Sequence, residues 1–313
     1  NVLGVACDHL CQTKCTRINY ESPLKIKEIK RFVAQKGSES DISLPAFNGH
    51  KVAIIGAGPS GLSCAYFLRM GGFDVEVFET KSLPGGMISE AIPEFRLKME
   101  LLQKDIARIE KLGVKLHYNS TIDSRLFANL KANFNSIYIA AGAQRFKTLN
   151  IEGENVAGVL NAFEFLKSAK YGKVIPLGEN IIIIGGGNTA MDVARTAKRI
   201  ATPTSTVKVI YRRTRAEMPA DVDEIKALLA ENIELIELLA PEKIISENQR
   251  ITELHCAPMQ LVKKENENRL VPVKTEGELI VLRVDTLIPA LGQEIDIDFI
   301  YFFIILLTLI SIY

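Results

Sequence analysis

Residues 51–79 read KVAIIGAGPSGLSCAYFLRMGGFDVEVFE, and the fold follows from this stretch. It opens with VAII, a β-branched run too short for a helix, which predicts a buried parallel strand over residues 52–55. The glycine-rich run GAGPSG comes next and leads into an amphipathic helix. A second strand, residues 75–78, ends at Glu79. This order of strand, glycine turn, helix and strand is typical of a dinucleotide-binding unit.

The glycine turn has the G-x-G-x-x-G spacing, and each of its positions has a physical role. Gly56 permits the tight turn, Gly58 lets a pyrophosphate approach the backbone, and Gly61 lets helix and strand pack closely. The helix amino terminus offers free N–H groups to phosphate, and Glu79 lies where an acid can bind a ribose hydroxyl. The alternative is a chance glycine-rich turn, which the strand–helix context disfavours. The candidate cofactor-binding residues are Gly56, Gly58, Pro59, Ser60, Gly61 and Glu79.

A second fingerprint lies in residues 180–192, NIIIIGGGNTAMD. Its isoleucine run predicts another buried strand, and the turn that follows matches the G-x-G-x-x-A variant of the same motif. The candidate cofactor-binding residues of this turn are Gly185, Gly187, Asn188, Thr189 and Ala190.

The two fingerprints differ in the residue that follows the second strand. The strand predicted over residues 207–211 is followed by Arg212 and Arg213, where the first unit has Glu79. Arginines clamp a 2′-phosphate through charge-assisted, bidentate hydrogen bonds, whereas an acid repels it. The sequence therefore favours NADPH over NADH at the second unit, with a solvated basic turn as the alternative.

Length and composition limit the class of protein. A chain of 313 residues is long enough for two or three domains. Its 38 Lys and Arg residues nearly balance 37 Asp and Glu residues, and it has no long basic run, so we expect no nucleic-acid partner. It begins with Asn and has no signal-peptide pattern, so we expect a piece of a longer, cytoplasmic protein.

Three of the five cysteines, Cys7, Cys11 and Cys15, recur every four residues ahead of a basic amphipathic helix. Such spacing brings thiolates together, and thiolates so close need a cation to hold them. Spacing alone does not distinguish zinc from an iron–sulfur cluster, and either site normally takes a fourth ligand. Small buried side chains without a metal are the remaining alternative. Cys64 and Cys256 lack C-x-x-C spacing, and we expect both to be core residues.

The rest of the chain predicts a nested arrangement. Residues 242–284 have the alternation of a β-meander, and residues 286–293, TLIPALGQ, resemble the strand that ends at Gly142. We therefore expect a cysteine-rich helical segment at 1–44, a first nucleotide-binding domain at 45–150 plus 285–313, and a second one at 151–284 inserted in it. The apolar run 299–313 is shorter than the ~20 residues of a spanning helix, so a membrane anchor is disfavoured. We interpret this run as an altered terminus, part of it packing as a last strand.

These linked motifs, GAGPSG…VFE, PGGM…IPEFRL and GGGNTAMD…YRR, resemble the small (beta) subunit family of NADPH-dependent glutamate synthase. The FAD/NADPH portion of dihydropyrimidine dehydrogenase shares the pattern. The resemblance implies an α/β fold with two nested, three-layer Rossmann-like domains after a short helical iron–sulfur segment. It implies FAD in the first domain, NADPH in the second, and a [4Fe–4S] cluster held by Cys7, Cys11 and Cys15. Further cofactor-binding residues implied by the family motifs are Gly86, Met87, Arg96, Ala141, Gly142, Gly292 and Gln293.

The function implied by this resemblance is electron input. NADPH would pass hydride to FAD, and electrons would leave through the cluster to a larger catalytic subunit or domain. No catalytic side chain is expected, because the cofactors carry the chemistry. The alternatives are a stand-alone flavin reductase or disulfide-reductase-like enzyme, and a truncated module that no longer holds FAD.

Overall fold

The computed structural model describes residues 1–37, 43–264 and 269–295. The chain divides into two compact units. The first contains Asn1–Gln144 and resumes at Ile295, and the second is Arg145–Glu294. Each unit is built around its own parallel sheet.

The first unit begins with a helical segment that carries the cysteines. It consists of α1 (Val2–Ala6), two short 3-10 turns (Gln12–Lys14 and Thr16–Asn19) and α2 (Ile26–Lys36). Gly4 lets α1 and α2 approach closely, since a Cβ at Gly4 would lie 2.7 Å from the Arg31 Cα. Val2 is buried in the core of the unit, and its N–H donates to Asp105 Oδ2 at 2.9 Å. The cysteine segment is therefore anchored to this unit.

The sheet of the first unit follows the predicted fingerprint. Its strands are β1 (Lys51–Ile55), β2 (Asp74–Phe78), β3 (Lys115–His117) and β4 (Ser136–Ile139), all parallel in the order β3-β2-β1-β4. The helices are α3 (Pro59–Met70), α4 (Met87–Glu90), α5 (Met99–Lys111) and α6 (Ser124–Asn133). Strand β1 is buried on both faces: Ile54 packs in one cluster with Leu62 and Leu102, and Ala53 packs in another with Phe127. A continuous apolar run suits such a strand.

The second unit repeats this plan. It contains β5 (Arg145–Phe146), α7 (Ala162–Lys170), β6 (Asn180–Ile184), α8 (Asn188–Ile200), β7 (Thr206–Tyr211), α9 (Val222–Ala230) and β8 (Glu234–Glu237). The region predicted as a β-meander forms β9 (Leu239–Glu247), β10 (Arg250–Val262), β11 (Val271–Lys274) and β12 (Ile280–Arg283), all antiparallel to β10. The pairing differs from that of a meander, because β12 pairs with β10 rather than with β11. The unit ends with β13 (Thr286–Pro289) and β14 (Gln293–Glu294). Its parallel sheet has the order β13-β6-β7-β8.

Strand β13 corrects one sequence expectation. The segment TLIPALGQ was expected in the first domain, but β13 pairs in parallel with β6, in the sheet of the second unit. The physical reason is that, in both sheets, a small residue after the neighbouring strand contacts the first glycine of the fingerprint. The carbonyl of Ala290 faces Gly185, and the carbonyl of Ala140 faces Gly56, each 2.5 Å from where a Cβ would stand. Similar sequences therefore follow β4 and β13, and similarity alone does not say which sheet each joins.

No helix in the described ranges has both the length and the apolar character needed to cross a bilayer. The apolar run 299–313 lies outside the described residues.

Candidate dinucleotide-binding sites

The turn after β1 has the geometry that its glycines predict. Gly56 has a φ of +103°, and a Cβ there would stand 2.5 Å from the Ala140 carbonyl oxygen. A Cβ at Gly61 would stand 1.9 Å from the Gly56 carbonyl oxygen, so only glycine lets α3 approach the turn. The missing Cβ of Gly58, in contrast, would meet no atom within 4 Å. This open face is where the motif brings a pyrophosphate to the backbone.

Glu79 has a role that sequence reasoning missed. Its side chain is buried, with 7% of the residue surface exposed, and its carboxylate accepts hydrogen bonds from Ala57 N at 2.8 Å and Lys81 N at 2.9 Å. Each carboxylate oxygen retains further acceptor capacity, so a ribose hydroxyl can still bind there. Glu79 therefore also holds the glycine turn against the end of β2.

The PGGM loop lies beside the same turn. Gly85 N donates to the Ala57 carbonyl at 2.8 Å, and a Cβ at Gly86 would lie 3.1 Å from the Gly58 Cα. Met87 opens α4, and Glu90 of that helix forms an ion pair with Lys81. The structure thus brings Gly86 and Met87 next to the first fingerprint.

The other residues predicted for the first unit surround this turn less closely. Pro59 and Ser60 lie in the exposed first turn of α3, where the Ser60 hydroxyl hydrogen bonds to the Tyr138 hydroxyl at 3.0 Å. Ala141 and Gly142 follow the carboxyl end of β4, directly after the carbonyl that faces Gly56. Arg96 is half-buried after the PGGM loop.

The second fingerprint has nearly the same turn. Gly185 has a φ of +146°, and its missing Cβ would stand 2.5 Å from the Ala290 carbonyl oxygen. Ala190 is fully buried, whereas a Cβ at Gly187 would again meet no atom within 4 Å. Asn188 and Thr189 begin α8. Both units therefore leave open the glycine face at which a pyrophosphate is expected.

Residues 220 and 221 are held over the second glycine turn by hydrogen bonds that the sequence did not predict, and we call this contact the clamp. Ala220 N donates to the Gly186 carbonyl at 3.1 Å, and Asp221 N donates to Asn188 Oδ1 at 2.8 Å. The ring of Tyr211 lies 2.5 Å from where a Cβ of Gly186 would stand. The only signal in the sequence was the middle glycine of GGG, which permits this contact.

The arginines after β7 begin the segment that leads from this strand to the clamp. Arg212 is exposed, and Arg213 is half-buried with no acceptor for its buried Nε among the described residues. The chain then enters a 3-10 turn, Arg215–Glu217, which a capping box between Thr214 and Glu217 fixes. The basic turn is therefore ordered by its own hydrogen bonds.

The last two predicted cofactor residues, Gly292 and Gln293, lie in the second unit. Gly292 accepts a hydrogen bond from Lys147 N at 3.2 Å, and β14, which begins at Gln293, pairs with β5. Their placement follows from that of β13, which the chain leaves just before them.

The three clustered cysteines flank the short helical turns of the first unit. Cys7 ends α1 and is half-buried, Cys11 is exposed, and Cys15 separates the two 3-10 turns. A hydrogen bond from the backbone of His9 and a contact with the Lys30 ammonium, 3.3 Å from Sγ, lower the pKa of Cys7. Backbone hydrogen bonds at Leu24 and Arg17 likewise lower the pKa of Cys15. These surroundings favour thiolates, the form in which cysteine binds metals.

The two remaining cysteines are packed in the cores of different units. Cys64 packs against the core cluster of the first unit, and burial raises its pKa. Cys256 is fully buried on β10, and burial raises its pKa to about 12. Both thiols are therefore poor nucleophiles at neutral pH.

Comparison with known proteins is consistent with this geometry. At 35% identity over 311 residues, the chain matches NADPH-Fe(3+) oxidoreductase subunit beta of Geobacter sulfurreducens, covering 96% of this chain and 46% of that protein. It therefore spans less than half the length of that relative. Over 309 residues it is 31% identical to NAD-dependent dihydropyrimidine dehydrogenase subunit PreT of Escherichia coli, covering 95% of this chain and 69% of that protein.

The fold is also found in solved structures. FprA of Mycobacterium tuberculosis in complex with NADPH superposes with a TM-score of 0.66 at 19% identity, covering 78% of this chain and 71% of that one. Thioredoxin reductase of T. acidophilum gives a TM-score of 0.57 at 18% identity, covering 79% and 78%. The sequence model of pyridine nucleotide-disulphide oxidoreductases matches residues 50–304, a range that contains both fingerprints. With its paired glycine turns, its parallel sheets and this match, the chain belongs to the pyridine nucleotide-disulphide oxidoreductase family.

Proposed function

We propose that this chain is an NADPH-oxidising flavoprotein module that delivers electrons to a larger partner subunit. The first unit, which contains Asn1–Gln144, would bind FAD, and the second, Arg145–Glu294, would bind NADPH. The observation that carries the proposal is the contrast between two matching turns. Each has an open glycine face, yet one is followed by Glu79 and the other by Arg212 and Arg213.

The residues present fit these cofactors. In the first unit, Gly58 and Gly86 leave room beside the backbone, and Glu79 offers acceptor capacity to a ribose. In the second unit, Gly187 leaves room for a pyrophosphate, and the buried Nε of Arg213 has no acceptor among the described residues. A 2′-phosphate would supply that acceptor. FAD and NADPH, when bound, supply the redox chemistry, while the protein positions them and excludes water.

Transfer of electrons to a partner is supported by the relatives rather than by a site on this chain. The Geobacter protein is named as a subunit beta, and PreT is named as a subunit of a dehydrogenase. These names concern iron and dihydropyrimidine chemistry, so a glutamate synthase partner rests on the resemblance of motifs alone. We further propose that Cys7, Cys11 and Cys15 hold a [4Fe–4S] cluster with a fourth ligand from elsewhere, since the three lie on consecutive short turns and the lowered pKa values of Cys7 and Cys15 favour thiolates.

An anaerobic visible spectrum tests the proposal. The purified full chain should show flavin absorbance that bleaches with one equivalent of NADPH and barely changes with NADH. Replacing both Arg212 and Arg213 with Gln should raise the KM for NADPH about 10- to 100-fold, which corresponds to about 1.4–2.8 kcal/mol in total, close to the value of one hydrogen bond to a charged group. The KM for NADH should change less than about twofold.

The control is Arg250→Gln, at an exposed arginine at the start of β10, which should change neither KM. Equal effects of the double substitution on both cofactors would refute the specificity, and a colourless protein would refute the flavin assignment for this chain.

A disulfide-reductase activity is the rival within the same family. The described thiols of Cys64 and Cys256 give it no support, because each is packed in a different unit and has a raised pKa. Rapid NADPH-dependent reduction of a disulfide substrate, lost on alkylation of either cysteine, would favour this rival.

A further inference from the structure

A distant arginine reaches the basic turn of the second unit. Arg269 lies just before β11, far along the chain from Arg212 and Arg213. Its Nη2 donates a hydrogen bond to the Glu217 carbonyl at 3.1 Å. Glu217 ends the 3-10 turn that begins three residues after Arg212, so the hairpin between β10 and β11 delivers its arginine to this turn.

The Glu217 carbonyl that Arg269 contacts accepts a second hydrogen bond. The Tyr211 hydroxyl also donates to the Glu217 carbonyl, at 3.2 Å, and the Tyr211 ring packs against Gly186 of the fingerprint. The Glu217 carboxylate accepts from Thr214 Oγ1 at 3.0 Å. A continuous set of contacts thus links the glycine turn, through Tyr211 and Glu217, to the Arg269 guanidinium.

Arginines outnumber the carboxylates of this region, which are those of Glu217 and Glu237. Arg212, Arg213 and Arg215 lie on the turn itself, and Arg269 adds a fourth guanidinium from the hairpin. Both carboxylates accept hydrogen bonds within the turn: the Glu217 carboxylate closes the capping box, and Glu237 Oε2 accepts from Arg215 N at 2.9 Å. A guanidinium has five N–H donors, and the bond to Glu217 uses one of them. Within the part of the chain that the structure describes, Arg269 therefore retains donors for an anion bound at this turn.

We propose that Arg269 is a specificity-determining residue that contributes to recognition of the 2′-phosphate of NADPH. It would work beside Arg212 and Arg213, approaching the phosphate from the hairpin rather than from the strand end. The inference rests on the proposed function, because it takes the second unit as the NADPH site. It also gives the β10–β11 hairpin a role in cofactor choice that neither fingerprint motif contains.

Binding of nucleotide fragments to the full chain tests this role without requiring activity. 2′,5′-ADP carries the 2′-phosphate and 5′-AMP lacks it, so calorimetric titration with each isolates the contribution of that group. For Arg269→Gln we expect the Kd for 2′,5′-ADP to rise between about fivefold and twentyfold, the range for an exposed charge-assisted contact. The Kd for 5′-AMP should change less than about twofold. Arg269→Lys should recover most of the lost affinity, because it keeps the charge.

The control is Arg250→Gln, at the opposite end of β10, which should bind both fragments as the wild type does. Equal weakening of both fragments by Arg269→Gln would mean a purely structural role and would overturn the inference, as would unchanged binding of 2′,5′-ADP. The double substitution at Arg212 and Arg213 distinguishes a failure of the Arg269 inference from a failure of the NADPH assignment. If it abolishes the preference for 2′,5′-ADP while Arg269→Gln leaves that preference unchanged, the inference fails and the proposed function stands. If the double substitution leaves the preference intact, the NADPH assignment itself fails.

Discussion

Replacing Glu79 with Gln should destabilise the first unit even when no nucleotide is bound. The buried Glu79 carboxylate accepts from two backbone N–H groups, those of Ala57 and Lys81, with one on each oxygen. A glutamine amide has only one acceptor atom, so its NH2 group would face one of these N–H donors. The substitution changes no bond length or volume appreciably, and therefore isolates the hydrogen bonding.

The size of the effect follows from these two bonds. Losing one hydrogen bond to a charged group costs about 1.5–3 kcal/mol, and the other bond weakens when its acceptor becomes neutral. Relief of the buried charge offsets part of this loss. We therefore expect a loss of about 2–3 kcal/mol in the free energy of unfolding, and a fall in Tm of about 4–12 °C for a unit of this size.

The protein contains no tryptophan, so far-UV circular dichroism is the suitable signal for urea and thermal unfolding of the nucleotide-free chain. Hydrogen exchange over residues 52–62 should also accelerate, because the turn loses its attachment to β2. Glu100→Gln, at an exposed position in the first turn of α5, is the matched control and should stay within about 0.5 kcal/mol of wild type. If nucleotide-free Glu79→Gln is as stable as that control, Glu79 serves only the ribose and the reasoning is refuted.

Two further predictions concern ionisable groups outside the nucleotide turns. Because burial raises the pKa of Cys256 to about 12, iodoacetamide at pH 8 should label the exposed Cys11 in the native chain and leave Cys256 unmodified. Comparable labelling of both cysteines by mass spectrometry would contradict this prediction. Burial alone would raise the pKa of Glu231, but hydrogen bonds from Arg199 and Arg195 lower this pKa overall. The stabilisation that Glu231 provides is therefore complete above pH 4.5, the ordinary pKa, and is lost as pH falls through the lower pKa of the folded state. Glu231→Gln should thus cost about 1–3 kcal/mol at pH 7 in urea unfolding and much less at pH 3, and an equal cost at both pH values would refute the assignment.

Sequence was sufficient where a structural demand is local. Gly61 is required by a contact within the turn, with the Gly56 carbonyl, and the positive φ of Gly56 is a property of that residue, so the glycine spacing predicted the turn between strand and helix. The alternation of residues 242–284 likewise predicted the strands of this region, because side-chain period is a property of each strand, but it did not predict that β12 pairs with β10.

Sequence was insufficient where the partner lies far along the chain. The contact of Arg269 with Glu217 joins residues on separate elements, and no periodicity predicts it. The bond from Val2 N to Asp105, which anchors the cysteine segment, has the same character. The second role of Glu79 was hidden for a different reason: the acid position is explained by the ribose alone, so the motif gave no cause to look for a use within the loop.

The matching turns of the two sheets have an evolutionary consequence. Both sheets have the same strand order: β1 lies between β2 and β4, and β6 lies between β7 and β13. The residue after β4 or β13 contacts the first glycine of the fingerprint. Ala140 N donates to Ile55 O at 2.8 Å, and Ala290 N donates to Ile184 O at 2.7 Å, so the same backbone atoms form this hydrogen bond in both sheets. This correspondence is what duplication of one ancestral unit would leave. Divergence after the copying would then include the residue after the second strand, which is Glu79 in one copy and Arg212 in the other.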